Sequence, residues 1–425
     1  MSNRKESLFL RVALVPFVVF ALTFGGFAQT TSPNARLKLP GGFESRVIAE
    51  IKGRPRHIVA TKNGELYVRL KNLVNGKGIV LLGDQDHDGK FETLMSFCRY
   101  PGTGITIKNG YLFASTDSEV FRYKLDENDR VIDTAKPERI ITGMKAGRQH
   151  ETKSMVLDND GNIYVNIGAY SNSCQLQDRG LESKGIPNCP ILDSAGGIWQ
   201  FRADKEGQSY AEGVRYATGL RNVMGLDWNA DDNSLYVMQH GRDNLNSSWP
   251  KFYDTKQSAD LPAEAMYKLS KGDNAGWPFA YYDNFKKKNI LAPEYGGDGE
   301  MAADKKFIDP VMAFPAHMAP NALLFYTGTQ FPVKYRHGAF VAFHGSWNRA
   351  PEKQLGYMVA FVPFENGKPS GDWEIFADNF SGHETVMVPR EAEHRPCGLA
   401  QGPDGSLYVT DDSKGTIYQI RYNGK

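Results

Sequence analysis

Apolar and polar positions alternate in short bursts along this chain, and the bursts share one form. An apolar lead-in runs into a polar turn, often Asn-Gly or Asp-Gly, and the chain leaves it through a Leu/Ile-Tyr-Val step. The unit reads IVATKNGELYVRL at 58–70, ITIKNGYLFAST at 105–116 and MVLDNDGNIYVNIG at 155–168. It returns as GLDWNADDNSLYVMQHG at 225–241, YRHGAFVAFHGSW at 335–347 and GLAQGPDGSLYVTDD at 398–412. Asn-Gly and Asp-Gly supply the positive φ that tight hairpins demand, and the alternating flanks give each hairpin one face to bury. The pattern predicts an all-β chain.

The six copies are spaced roughly 45–70 residues apart with one wide gap, and a propeller blade takes about 40–50 residues. We therefore expect a six-bladed β-propeller over residues 29–425, with a long inter-strand insertion at about 242–331. Inside that insertion Asp260-Leu-Pro-Ala-Glu264 reads as the start of a short helix. Asp260 would cap it, Pro262 would sit in its first turn and Glu264 would favour its dipole.

The first residues change the picture of where the chain works. Arg4, Lys5 and Arg11 precede an apolar run from Val12 to about Leu22, and Gly26 and Ala28 offer a small-residue cleavage site. This is the form of a signal peptide over 1–28, and its apolar run falls short of the ~20 residues a membrane span needs. A periplasmic or secreted protein is expected, not membrane-spanning after cleavage. Removal takes three cations and one acid from a chain with 50 Lys+Arg and 49 Asp+Glu, which leaves a net charge near −1. That balance argues against nucleic acid or an anionic membrane as partner.

Four cysteines remain. Cys174 and Cys189 bracket a polar loop that an exported protein would staple with a disulfide. Cys98 and Cys397 read as buried small apolar residues. No CxxCH is present, so no covalent haem is expected.

Candidate chemistry gathers at one end of the hairpins. In the stretch 219–243, Arg221 and Asn222 stand at the entrance to a strand, and His240-Gly241-Arg242-Asp243 stand at the exit of the next. His150 and Arg395 precede other lead-ins, while His344-Gly345-Ser346 and Thr410-Asp411 follow other strands. Each has a bland reading, a packed histidine or a carboxylate-paired arginine. Together, at the mouth of one channel, they read as a small-molecule site.

Seven motifs in order then carry a resemblance: GRQHETKS (147–154), ATGLRN (217–222), QHGRD (239–243), LPAEAM with GDNAGWP (261–278), FPAHMAPNALLFYTG (314–328), AFHGSWNRAP (342–351) and HRPCGLAQGPDGSLYVTDD (394–412). From about Arg56 onward the chain resembles the soluble pyrroloquinoline-quinone (PQQ)-dependent glucose/sorbosone dehydrogenases. The resemblance implies a six-bladed propeller that binds the quinone and Ca2+ at the top of its channel and oxidises an aldose or related sugar. His150 matches the general base, and Arg221 with Asn222 the pair beside the quinone carbonyls. Gly241 and Arg242 match the positions whose backbone carbonyls hold Ca2+, with Asp243 as a further oxygen ligand. His240-Gly241-Arg242 stands where the glucose enzymes carry Gln-Gly-Pro.

Arg395 matches one of the family's carboxylate-binding arginines. The second falls at Cys397 and the family lysine near His344, so Arg349, His344 or His317 would substitute. His317 and Trp347 are also candidates for the substrate pocket. Electrons would leave to an external acceptor of quinone or cytochrome c type.

Two rival classes remain at this point. One is a Ca2+-dependent lactonase or hydrolase propeller; the other is a non-catalytic propeller binding carbohydrate or protein. Asp84-Gln-Asp86-His-Asp88-Gly89 opens like an EF-hand loop but has Met95 at its twelfth position, and reads as a solvated acidic turn, with a Ca2+-stabilised hairpin as the alternative. Lys286-Lys287-Lys288 reads as a solvated loop face, or else a handle for an acidic electron acceptor.

Overall fold

Asn109 and Gly110 both take positive φ, 49° and 77°, and between them turn the strand Ile105–Lys108 back into Tyr111–Ser115 with Lys108 facing Tyr111. That two-residue hairpin is the form the sequence predicts. The same step, in tighter or looser versions, opens each of six blades of four antiparallel strands, and the second blade gains the short parallel strand Gln208–Ser209 at its edge. The structure, a computed structural model, describes residues 35–147 and 149–424; the segment read as a signal peptide lies outside them.

Blade one runs Pro55–Ala60, Leu66–Val74, Lys77–Gly83, Glu92–Phe97, and blade two Ile105–Lys108, Tyr111–Ser115, Val120–Lys124, Glu138–Thr142. Blade three is Met155–Leu157, Asn162–Ile167, Gly197–Arg202, Val214–Thr218, and blade four Val223–Asn229, Ser234–Gln239, Glu264–Leu269, Met312–Phe314. Blade five is Pro320–Phe325, Ala339–Phe343, Met358–Val362, Glu374–Ala377. Blade six takes Pro396–Gln401, Leu407–Asp411 and Thr416–Tyr422, and is completed by Phe43–Glu50 from the other end of the chain. The all-β, six-bladed propeller is the observed fold.

Closure of the ring is held by packing as well as by strand pairing. Phe43, on the closing strand, sets its ring against Phe331, Tyr335 and Phe376 at centroid distances of 4.9, 5.3 and 5.0 Å, all near-perpendicular. Such edge-on pairs add about 0.5–1.5 kcal/mol each beyond their burial. A closed ring also leaves no long sheet edge exposed.

Two expectations about the wide gap are corrected. Residues 242–331 are not one insertion: they contain the two outer strands of blade four and the first strand of blade five, with a hairpin of Ala280–Asp283 and Lys288–Leu291 between. The fifth hairpin therefore begins at Pro320, and 335–338 belong to its lengthened turn. The short helix is there, but it spans Thr255–Asp260 with Asp254 as cap, its carboxylate accepting from Gln257 N. Asp260 ends the helix and Glu264 starts a strand. Local sequence had mimicked a helix start, and a tertiary contact of Glu264 decides otherwise.

First strands pack around the axis, so the segment before each first strand and the segment after each second strand share one end of the channel. Direct backbone bonds link neighbouring segments there: Ala169 N to Arg221 O (2.8 Å), His240 N to Asn222 O (2.9 Å) and His344 N to Ala319 O (2.9 Å).

Candidate active site

A pocket of about 290 Å³ opens at that end, lined by His150, Arg221, His240, Gly241, Asp243, Glu264, His317 and Trp347 among others. At its floor Arg221, 3% exposed, makes four hydrogen bonds. Its Nη2 reaches Asp243 Oδ2 (2.8 Å) and Asn172 Oδ1 (3.0 Å), Nη1 reaches Gly241 O (2.9 Å), and Nε reaches Asn172 O (3.2 Å). Asp243 also accepts from Arg179 Nη2 (2.9 Å) and, through Oδ1, from Asn348 Nδ2 (2.8 Å). Burial opposes ionisation of Asp243, but the charges of Arg221 and Arg179 outweigh it and hold the carboxyl well below the usual carboxylate range.

Around this charged centre the other titratable groups are held uncharged. His150 donates Nδ1–H to Ala169 O, which leaves the lone pair on Nε2. Burial, then the nearby Arg221 charge, lower its pKa to about 3. His240 points Nε2–H at Pro320 O (3.0 Å) and burial lowers it to about 4. His317 donates Nε2–H to Ser258 O (2.9 Å), and burial lowers it too. Glu264 accepts Gly241 N (3.0 Å) and Ala319 N (3.2 Å), yet burial raises its carboxyl to about 8. Asn222 Oδ1 and Asn348 Oδ1, buried acceptors at this end of the channel, have no hydrogen-bond partner.

So the structure brings His150, Arg221, Asn222, Gly241, Asp243 and His317 together. It does not bring the rest. Arg242 turns its side chain away, its Nη1 on both oxygens of Glu294 (2.6 and 2.5 Å). Arg349 is spent elsewhere: its guanidinium donates to Ala259 O, Ala316 O and Asp260 Oδ1, which seats the short helix. That corrects its expected place at a cofactor.

His344 and Arg395 belong to a second cluster at the same end. His344 Nε2 binds Asp412 Oδ1 (2.7 Å), and Asp412 also takes Arg56 (2.5 Å) and Arg54 (3.3 Å). Arg395 gives its donors to the carbonyls of His344 (3.1 Å), Gly345 (2.6 Å) and Ser346 (3.3 Å). Arg56 lies against Cys397, and its buried Nε has no partner.

Arg179, Asn172, Asn348, Glu264 and Arg56 escaped the sequence reading. Glu264 and Asn348 lie inside motifs quoted above but were assigned to a helix start or passed over; Arg179 and Asn172 lie in a loop with no period to place them. That loop is closed by a disulfide, Cys174–Cys189. Away from this end, Asp84, Asp86 and Asp88 place one oxygen each within 4.8 Å of one another in a turn of blade one. Those carboxylates accept the turn's own N–H groups, Gly89 N on Asp84 (3.0 Å) and Lys90 N on Asp88 (2.7 Å). Lys286 is paired with Glu300 (2.6 Å), which ties the hairpin to the following loop. Among the described residues no helix is long and apolar enough to cross a membrane.

Fold and site together define a six-bladed propeller with a polar, small-molecule pocket at the mouth of its channel. The chain belongs to the TrAA12-like family, whose model matches residues 37–423. A pyrroloquinoline quinone-dependent sugar dehydrogenase of Hypocrea jecorina is 22% identical over 95% of this chain and 95% of its own length. An uncharacterized protein of Borreliella burgdorferi is also 22% identical, over 99% of each chain. In structure, the chain resembles the family AA12 carbohydrate-active enzyme of Trichoderma reesei, described as a calcium structure, with TM-score 0.73, 19% identity and coverage of 93% and 99%. It resembles the holo PQQ domain of pyranose dehydrogenase from Coprinopsis cinerea with TM-score 0.71, 19% identity and coverage of 92% and 99%. At these identities the structural likeness speaks for the fold. The named relatives are pyrroloquinoline quinone-dependent sugar and pyranose dehydrogenases, the broader class that the seven motifs indicated.

Proposed function

We propose that this protein is a PQQ- and Ca2+-dependent dehydrogenase that oxidises an aldose or related sugar, exported to the periplasm or beyond. The observation that carries the reading is the setting of His150. A neutral imidazole with its proton fixed on Nδ1 and a free lone pair on Nε2 shares one pocket with the buried guanidinium of Arg221 and with Asn348, whose Oδ1 has no partner.

The residues present fit the quinone. Asn222 has a buried polar atom with nothing to bond. For the cofactor's carboxylates, Arg221 and Arg179 lie at the pocket. For Ca2+, the Gly241 and Arg242 carbonyls, the Asp243 carboxylate and the unpartnered Asn348 Oδ1 are oxygens of the kind a hard cation takes. Two arginines already share Asp243, so metal and guanidinium compete for it. The quinone, when bound, supplies the hydride acceptor, which no side chain can.

What the chain itself supplies is a base and a field. His150 Nε2 takes the proton of the sugar hydroxyl as the hydride leaves the same carbon. Its low pKa keeps it unprotonated at neutral pH, and an anion beside Arg221 cancels the second cause of that shift, raising its basicity on loading. Arg221 stabilises negative charge developing on an oxygen beside it, inside a pocket where water screens little. Glu264, uncharged, holds the loops at Gly241 and Ala319 without adding a competing negative charge. Electrons then pass to an external acceptor of quinone or cytochrome c type.

The test is reconstitution. Apo-protein titrated with PQQ, with and without Ca2+, should show saturable absorbance changes and then reduce a dye in the presence of one or more aldoses. Failure to bind the quinone would sink the reading.

A further inference from the structure

Between Ile167 and Gly197 blade three sends out a long loop, and the disulfide Cys174–Cys189 closes its base. Two residues before Cys174 sits Asn172, wholly buried. Its Oδ1 accepts from Arg221 Nη2 (3.0 Å) and Asp243 N (2.9 Å), while its Nδ2 donates to Asp243 O (3.0 Å). Its backbone carbonyl accepts from Arg221 Nε (3.2 Å) and Trp277 Nε1 (2.9 Å), and its own N–H donates to Asp178 Oδ1 (2.9 Å). The next residue after Asp178, Arg179, returns to Asp243 Oδ2 (2.9 Å).

We infer that Asn172 is a positioning residue that aims Arg221 and locks Asp243 against it, which makes the disulfide-closed loop a wall of the active site. The inference rests on the role proposed for Arg221. Of the four acceptors around that guanidinium, Gly241 O and Asp243 Oδ2 both come from blade four, the arginine's own blade. Asn172 supplies the other two, from blade three, and so restrains the plane of the group from a second direction. Only an amide can do this. It must accept from Arg221 and from the Asp243 N–H with its oxygen, and donate to the Asp243 carbonyl with its nitrogen. Aspartate would lose the donor and bring a charge; alanine would leave the Asp243 N–H buried without an acceptor.

The experiment uses Asn172→Ala and Asn172→Asp in the full chain, read first in the apo-protein by hydrogen exchange of backbone amides. In the alanine variant the Asp243 amide should exchange at least about tenfold faster while the amides of Val223–Asn229 keep their rates. In the aspartate variant the Asp243 amide keeps its protection. With PQQ loaded, the alanine variant should lose about 10- to 100-fold in kcat with the sugar KM within about threefold, the range expected from losing one hydrogen bond to a charged group. The aspartate variant, which keeps the acceptor for Arg221, should lose less than the alanine variant. An unchanged Asp243 rate in the alanine variant would overturn the inference. So would exchange rising throughout Val223–Asn229 with kcat falling only in proportion to folded protein. The exchange arm needs no quinone, so a wild type that fails to turn over would sink the proposed function and leave Asn172 to be judged on its own result.

Discussion

Two buried aspartates stand at the same end of this propeller, each on the segment that follows a blade's second strand, and each is held by arginines with a histidine nearby. Asp243 has Arg221 and Arg179, with His317 Nδ1 at 4.0 Å; Asp412 has Arg56 and Arg54, with His344 at 2.7 Å. Both carboxyls are held down by those charges against the opposing effect of burial. The difference lies in what they face. Asp243 lines an open pocket beside a histidine with a free lone pair, whereas the Asp412 carboxylate is wholly covered and its histidine is spent on it. The same electrostatic device serves chemistry at one blade and anchoring at another, and only the geometry of the neighbours tells them apart.

The largest contrast is expected from removing each carboxylate. Asp412→Ala leaves the buried Arg56 unpaired, a loss of about 3–5 kcal/mol that chemical denaturation would read. Asp243→Ala should cost a similar amount of stability, because it leaves the more deeply buried Arg221 unpaired, but it alone should abolish Ca2+ binding by calorimetry and with it turnover. If Asp243→Ala keeps calcium and activity while Asp412→Ala loses them, the assignment of the two clusters is reversed.

Next in size is the disulfide. The cysteines are 15 residues apart, and replacing both by serine should cost about 3 kcal/mol on the loop-entropy scale. Turnover should fall as well, since Asn172 and Arg179 ride on that loop.

A smaller effect separates the titrating groups. His57, His150 and His240, lowered to about 4, 3 and 4 from 6.5, bind fewer protons folded than unfolded, so they cost stability as pH falls below about 6.5. Glu264, raised to about 8 from 4.5, acts in the opposite sense: its contribution is present below 4.5 and is lost as pH rises through 8. The melting temperature of the wild type should therefore decline between pH 6.5 and 8.5, and Glu264→Gln should flatten that limb. An identical decline in the variant would remove Glu264 from the account. Smallest of all, Arg349→Gln should change quinone affinity by less than about threefold, since its donors go to Ala259, Ala316, Lys353 and Asp260.

Much of the fold was legible because turn chemistry is local. Asn109-Gly110 specifies its own φ values, and the alternating Tyr111–Ser115 run after it marks the second strand. Blade five was misplaced by a lengthened turn at 326–338, and Asp260–Glu264 by a local pattern that a tertiary contact overrides. The site was half legible: Arg221, Asn222 and His150 are polar where a buried strand begins, which is unusual enough to notice. Arg179 and Asn172 lie in an aperiodic loop, and Arg56 needed the ring closed to come beside Cys397. No spacing in the chain announces such contacts.

The most direct test of the account is His150→Asn in PQQ-loaded protein. Quinone affinity by absorbance titration should stay within about threefold of wild type, and kcat should fall by about 10²–10⁴, the span of a lost general base. A variant that binds the quinone and turns over sugar at the wild-type rate would contradict the account at its centre.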